Sequence, residues 1–357
     1  MCRFAKDGRH WTNLVSEAAA VCLAADVASP NGPGRPQTYQ QWQIASLILI
    51  TTVRRCKSKS SQHRFLLKHQ NDPQLSVLLR DVLMLQQLPS RATYMRRYGS
   101  CHPLLAKAIH IGGRRVLQEH VADARDVAID KSMIEARGPR PPRRKDQSFS
   151  GVDREAAFGK SKHDGWVWGY SYEVAVSAGK NGIVVPLLAS AGTAAASEHH
   201  TVLAKIANLP PSVKYVLLDC GYDSNKTADA VEYKADGRRR TGRRLVCPLQ
   251  SRGGKPCVGQ QVRKGARERC RQHRLNRAAF MQSRRGKRLS ARRRQTVEPF
   301  NQWFKDLFEL DERVWHRGLD NNCTMLLAAL FCYQLLQRYN HALGNRDGQV
   351  KWILDAL

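Results

Sequence analysis

The stretch VKYVLLDCGYDS, residues 213–224, decides how this chain is read. Tyr215 to Leu218 are apolar and strand-favouring, and they run straight into Asp219. A short apolar run closed by a glycine and a turn is a buried strand rather than a helix. A carboxylate at the end of such a strand projects into the crevice where open α/β sheets place their ligands. DVAID, residues 126–130, has the same form and ends on Asp130. Two adjacent strand ends would bring both carboxylates together although 89 residues separate them (219 minus 130).

Strand and helix patterns alternate around these two runs. Trp166–Ser177 and Gly182–Leu188 predict a hairpin joined through Ala178-Gly179-Lys180-Asn181. Ser197–Asn208 predicts a helix with Ser197 as its cap, and Leu245–Pro248 a further brief strand. Helices are expected from Glu298 to about Leu310 and over Asn322–Asn340. That order is of the α/β type. Residues 1–120 differ: apolar residues recur at helical spacing in Trp42–Val53 and Leu75–Leu88, and Pro30–Gly34 forms a turn cluster. Arg54, Arg55, Lys57, Lys59, Arg91, Arg96 and Arg97 lie beside those helices, as in a DNA-docking bundle with a helix-turn-helix arrangement. Four segments are therefore expected. They are a helical DNA-binding domain (1–120), the first part of a catalytic domain (121–233), an arginine-rich insertion with the last strand (234–294) and C-terminal helices (295–357).

Charge narrows the function. With 59 basic against 30 acidic residues, the 357-residue chain carries a formal +29, and such a protein repels itself without a polyanion. Residues 234–294 hold 22 Lys and Arg against only Asp236 and Glu268, so this segment supplies +20 of that excess. Arginine clusters grip phosphates bidentately, and a run this dense reads as a DNA clamp that stays mobile until it meets DNA. An apolar fraction of 42% supports a real core. The ten cysteines form no CxxC pair, and Cys257, Cys270 and His273 lack the paired ligands of a zinc site. Scattered thiols suit a reducing cytoplasm, and Met325–Leu336 is too short to cross a bilayer.

A third carboxylate completes a set. In RQTVEPFNQWFK, residues 294–305, Arg294 and Lys305 fall within about 40° of Glu298 around a helix. Val297, Phe300, Phe304, Leu307 and Phe308 lie on the opposite side. Three carboxylates can hold two Mg²⁺ ions, one activating the attacking oxygen and one stabilising the leaving oxygen of a phosphodiester. A flanking Arg and Lys would hold the backbone phosphate, with Arg292 and Arg293 beside them. Trp303 either stacks on a base near the cut or packs in the core. Asp223 reads as fixing the turn after Asp219, and His199 and His200 as surface or capping residues.

The order Asp130, then Asp219-x-Gly221-Tyr222-Asp223-Ser224, then Arg294-x-x-x-Glu298 and Lys305, resembles the insertion-sequence DDE transposases with a YREK-type signature. Trp168-Gly169-Tyr170-Ser171-Tyr172 is similar to their second-strand motif, and Pro89–Thr93 to part of their N-terminal helical region. The resemblance covers most of residues 121–340 and, more thinly, 30–120. It implies a ribonuclease H-like mixed sheet flanked by helices, with an N-terminal helical domain. It also implies that Asp130, Asp219 and Glu298 are both the catalytic and the metal-binding residues, with Mg²⁺ (or Mn²⁺ in its place) as the cofactor. Tyr222, Arg294 and Lys305 would contact DNA. The signature tyrosine falls on Ala291, so that phosphate contact is missing or supplied elsewhere.

The expected function is a Mg²⁺-dependent endonuclease and strand transferase that binds the inverted repeats ending an insertion element, nicks them and joins the 3′ ends to target DNA. It would act as a dimer or larger assembly on double-stranded DNA, in a bacterial cytoplasm and on the nucleoid. A catalytically inactive or domesticated DNA-binding relative, kept open by Ala291, and a structure-selective nuclease of the same fold are the alternatives.

Overall fold

The computed structural model describes residues 10–26, 38–141, 150–161, 165–179, 182–233, 240, 242–252, 255–256 and 268–356, with no side chains described for residues 251–273. Cys257, the side chains of Cys270 and His273, the turn cluster at 30–34 and most of the insertion before Glu268 fall outside what is described.

Six helices come first: α1 (His10–Ala25), α2 (Gln41–Val53), α3 (Lys59–His69), α4 (Pro73–Val77), α5 (Arg91–Tyr98) and α6 (His102–Gln118). The spacing over Leu75–Leu88 resolves into α4 and one π-helical turn, Leu78–Val82, rather than one long helix. α2 is buried on every side from Trp42 to Thr52, so its sequence is apolar throughout rather than amphipathic.

The sheet follows: β1 (Asp126–Glu135), β2 (Ala157–Ser161), β3 (Gly165–Ser177) and β4 (Pro186–Thr193), then α7 (Glu198–Asn208), β5 (Tyr215–Leu217), α8 (Asn225–Glu232) and β6 (Arg244–Val246). A two-residue pair, β7 (Ser251–Arg252) and β8 (Lys255–Pro256), stands apart. β3 lies between β1 and the β2 and β4 strands, all antiparallel to it, and β5 and β6 continue parallel to β1. Gly169 allows β1 and β3 their close approach, since a Cβ there would sit 2.0 Å from the Ile134 carbonyl oxygen.

Side chains alternate between two interiors, as the pleat requires. Val127, Ile129, Ala175, Val216 and Leu245 pack with Val202 and Ile206 of α7 and Val231 of α8. Ala128, Tyr172, Val174, Leu217 and Val246 face the opposite way, into the core shared by the N-terminal helices and the last long ones. Those are α10 (Arg284–Leu307) and α11 (Leu319–Ala342), preceded by α9 (Glu268–Gln282) and followed by α12 (Lys351–Ala356). α11 is buried from Asn322 to Asn340, and its Arg338 is held by Glu17 of α1 at 2.7 Å and by Glu119 beyond α6. Arg338 thereby ties α11 to α1 and to the residue that follows α6.

α10 begins fourteen residues before Glu298, so residues 284–294 of the arginine-rich segment are ordered helix rather than a mobile clamp. Its N-terminus is capped by the Ser283 side chain, and Leu289 buries beneath the arginines. Pro299 lies inside the helix and leaves the Gln295 carbonyl without its usual donor.

Candidate active site

Asp130 does not end its strand: β1 continues to Glu135, held by β3 along its whole length. What stops near Asp130 is the pairing with β5. That ladder joins Asp126 to Tyr215, Val127 to Val216 and Ala128 to Leu217, an offset of 89 residues. Carried two residues further, the same offset sets Asp130 level with Asp219, and the alternation puts both on the face that meets α10. The two carboxylates thus stand where the parallel strands separate.

Each is held from its own side. Asp219 caps a short helical turn, Cys220–Tyr222, and its Oδ1 accepts from the Gly221 N–H at 2.7 Å. A Cβ on Gly221 would lie 2.9 Å from that oxygen and 3.0 Å from Oε2 of Glu198, so glycine keeps open the space between two carboxylates. Asp130 Oδ2 accepts from Asn301 Nδ2 at 3.2 Å, and Asn301 Oδ1 accepts from the Tyr172 hydroxyl at 3.0 Å. Burial pushes the Asp130 carboxyl up to about 7; Arg293 works against that rise, while the negative charges of Asp219 and Glu198 add to it.

Glu298 stands on α10 with its side chain 58% exposed. Arg293 links it to the sheet: one guanidinium nitrogen lies 3.6 Å from Asp130 Oδ1 and the other 3.6 Å from Glu298 Oε1. Among the described residues no three His, Cys, Asp or Glu side chains are gathered tightly enough to hold one metal ion.

The basic and aromatic residues divide. Arg294 is exposed on α10, and Trp303 is 54% exposed, so the packing role open to it in sequence is not where the indole lies. Lys305 donates to the Met133 carbonyl at 3.1 Å, beside the strand rather than out in solvent. Arg292 turns inward to the buried Asp126 at the start of β1. Tyr222 is only 1% exposed, and its hydroxyl donates to Glu173 Oε2 at 3.0 Å. That ring supports the floor of the site and has no surface to offer DNA. The same Glu173 accepts from Lys205 at 2.7 Å and Thr201 at 2.9 Å, a satisfied network under α7. Asp223 reaches beyond its own turn, pairing with Arg274 at 3.0 Å and with Arg277, and so anchors α9. His199 and His200 are exposed, and Ser197 precedes α7 without a side-chain cap bond.

Asn301, Glu198 and Glu173 were not foreseen. Asn301 carried a signal, lying one helical turn beyond Glu298. The other two did not, because a glutamate in a strand or at a helix start is ordinarily solvated.

Residues 122–335 match the transposase DDE domain family, three-fifths of the chain. The chain belongs to that family. No curated protein sequence matches it. A solved piggyBac transposase, a synaptic complex with hairpin DNA, aligns with 99% of this chain and 80% of its own at 11% identity and a TM-score of 0.37. The family covers every residue of the site, from β1 to α10. As a transposase-family chain it falls in a class of DNA-cutting and strand-transferring enzymes. No described helix is long and apolar enough to cross a membrane.

Proposed function

We propose that this transposase nicks DNA at the ends of an insertion element and joins the freed 3′ ends to target DNA, with Asp130, Asp219 and Glu298 as its catalytic carboxylates. The single observation carrying this reading is the β1/β5 register, which sets Asp130 level with Asp219 on the face that α10 crosses. The sheet's make-up, four antiparallel strands (β1 to β4) followed by two that run parallel to β1, supports a ribonuclease H-like reading of the fold.

The donor set suits a divalent ion. Hard carboxylate oxygens are what Mg²⁺ prefers, and the rise of the Asp130 carboxyl, caused first by burial and then by the negative charges of Asp219 and Glu198, is what a bound cation would relieve. Asp130 and Asp219 would hold Mg²⁺ or Mn²⁺, with Glu298 completing the set. Bound there, the metal supplies activation of the attacking oxygen and stabilisation of the leaving one. The chain's own groups do the rest: Asn301 fixes the Asp130 carboxylate, Arg294 and Trp303 are exposed where α10 would meet the DNA backbone and bases, and Lys305, beside β1, would hold the phosphate nearest that strand. Double-stranded element ends and target DNA are the partners, and joining two ends at once calls for a dimer or larger assembly.

Asp130→Ala decides the matter. The variant should bind a duplex copied from the DNA flanking the coding region as the wild type does, yet lose cleavage and strand transfer in Mg²⁺ or Mn²⁺. Undiminished cutting by that variant would sink the carboxylate assignment. A wild-type chain that binds but never cuts would instead favour the inactive relative that Ala291 raises.

A further inference from the structure

Arg293 sits where a cation between carboxylates would sit. Its side chain is 14% exposed, and its two terminal nitrogens lie 3.6 Å from Asp130 and 3.6 Å from Glu298. Helix geometry does not impose that contact. Arg294, four residues before Glu298, has the spacing that normally pairs on a helix surface, yet it is exposed. Arg293 is five residues before Glu298, about 140° around the axis, and must reach across to touch both acids.

The contact is also loose. At 3.6 Å each approach exceeds the length of a good N–H···O bond, so the guanidinium acts through charge more than through directed bonds. The structural arginines of this chain behave differently. Arg338 bonds Glu17 at 2.7 Å and Glu119 at 2.5 Å, and Arg274 bonds Asp223 at 3.0 Å. A loosely held counter-ion can leave, whereas a bidentate buried pair cannot without heavy cost.

Resting on the carboxylate assignment above, we propose that Arg293 is a resident counter-ion that competes with divalent metal for Asp130 and Glu298 and yields its place when a DNA phosphate takes it up. A divalent ion against a guanidinium a few ångströms away is strongly repelled, so the two occupants exclude one another. A phosphate oxygen offers the guanidinium the bidentate partner it lacks here. DNA binding and metal binding then favour each other by the same factor, as linkage requires. The site would stay neutralised, and poorly loaded with metal, until DNA arrives.

The test is Mn²⁺ binding, followed by the electron paramagnetic resonance of free Mn²⁺, with and without a duplex copied from the DNA flanking the coding region. Wild type should bind Mn²⁺ weakly alone and roughly tenfold more tightly with DNA, within the usual range of coupling between sites. Arg293→Gln should bind Mn²⁺ more tightly without DNA and lose most of the enhancement, whereas Arg293→Lys, which keeps the charge, should stay near wild type. Circular dichroism establishes that each variant is folded. Arg293→Gln binding Mn²⁺ no more tightly than wild type, in a chain whose Asp130→Ala variant has lost Mn²⁺ binding, overturns this inference alone. Asp130→Ala retaining Mn²⁺ binding overturns the carboxylate assignment as well.

Discussion

Asn301 donates from Nδ2 to Asp130 Oδ2 at 3.2 Å while its Oδ1 takes the Tyr172 hydroxyl at 3.0 Å. The amide therefore ties β1, β3 and α10 together at the point where the carboxylate must be aimed. Groups that orient a metal-binding carboxylate commonly matter by about 10–100-fold in affinity or activity when removed. Asn301→Ala should lower cleavage by that order and weaken Mn²⁺ binding, with a melting temperature within a few degrees of wild type. Equal loss of stability and activity would assign Asn301 to the fold rather than to the site.

Asp130 makes stability depend on pH in a particular sense. Its carboxyl is raised to about 7 in the folded chain, against an ordinary value near 4. Between those values the folded chain keeps a proton that the unfolded chain has lost. Stability from this group is thus complete below about pH 4 and is lost as pH rises to about 7. Without divalent ions, Asp130→Asn should gain on wild type across that window by on the order of 2 kcal/mol, discounted from the full shift because the side chain is 20% exposed. Denaturant unfolding at pH 5 and pH 8 measures it, and parallel curves for the two proteins would show that Asp130 is not shifted upward.

Much of this architecture was legible in the residues. The apolar runs before Asp219 and through Asp130 read as strands because buried strands exclude polar residues, and Val297, Phe300 and Phe304 marked the inner face of α10. The meeting of Asp130 and Asp219 could be supposed but not fixed, because register is set by pairing, and pairing lies in no single stretch. Within the arginine-rich segment, the helical order of residues 284–294 was hidden for a different reason. Residues 284–294 show mostly cations, and only Leu289 among the described side chains there betrays the core beneath. Arginine propensity for helix is good, but charge density suggested a mobile clamp. Trp303 flanks the apolar stripe of α10, a position from which spacing cannot tell packing from exposure.

The network around Glu173 separates support from recognition. Lys205→Met strands a buried carboxylate and should cost about 3–5 kcal/mol. Tyr222→Phe removes one bond to the same charged group and should cost about 1.5–3 kcal/mol. Neither change should alter the affinity of folded protein for DNA, because neither side chain reaches the surface. Weakened DNA binding by Tyr222→Phe at a temperature where it remains folded would restore a phosphate-contact role to that tyrosine.

Trp303 makes the opposite prediction. Its indole is 54% exposed on α10, five residues after Glu298, so little packing is lost on truncation. Trp303→Ala should change stability by no more than about 0.5 kcal/mol, as exposed substitutions do. A base stacked on an aromatic ring contributes about 1–3 kcal/mol, so binding of a duplex with an unpaired terminal nucleotide should weaken by roughly 5- to 150-fold. Fully paired duplex should be bound almost unchanged, since its bases are already stacked on one another. Fluorescence anisotropy with the two probes reads the contrast directly, and an equal effect on both would place Trp303 against the DNA backbone instead of its bases.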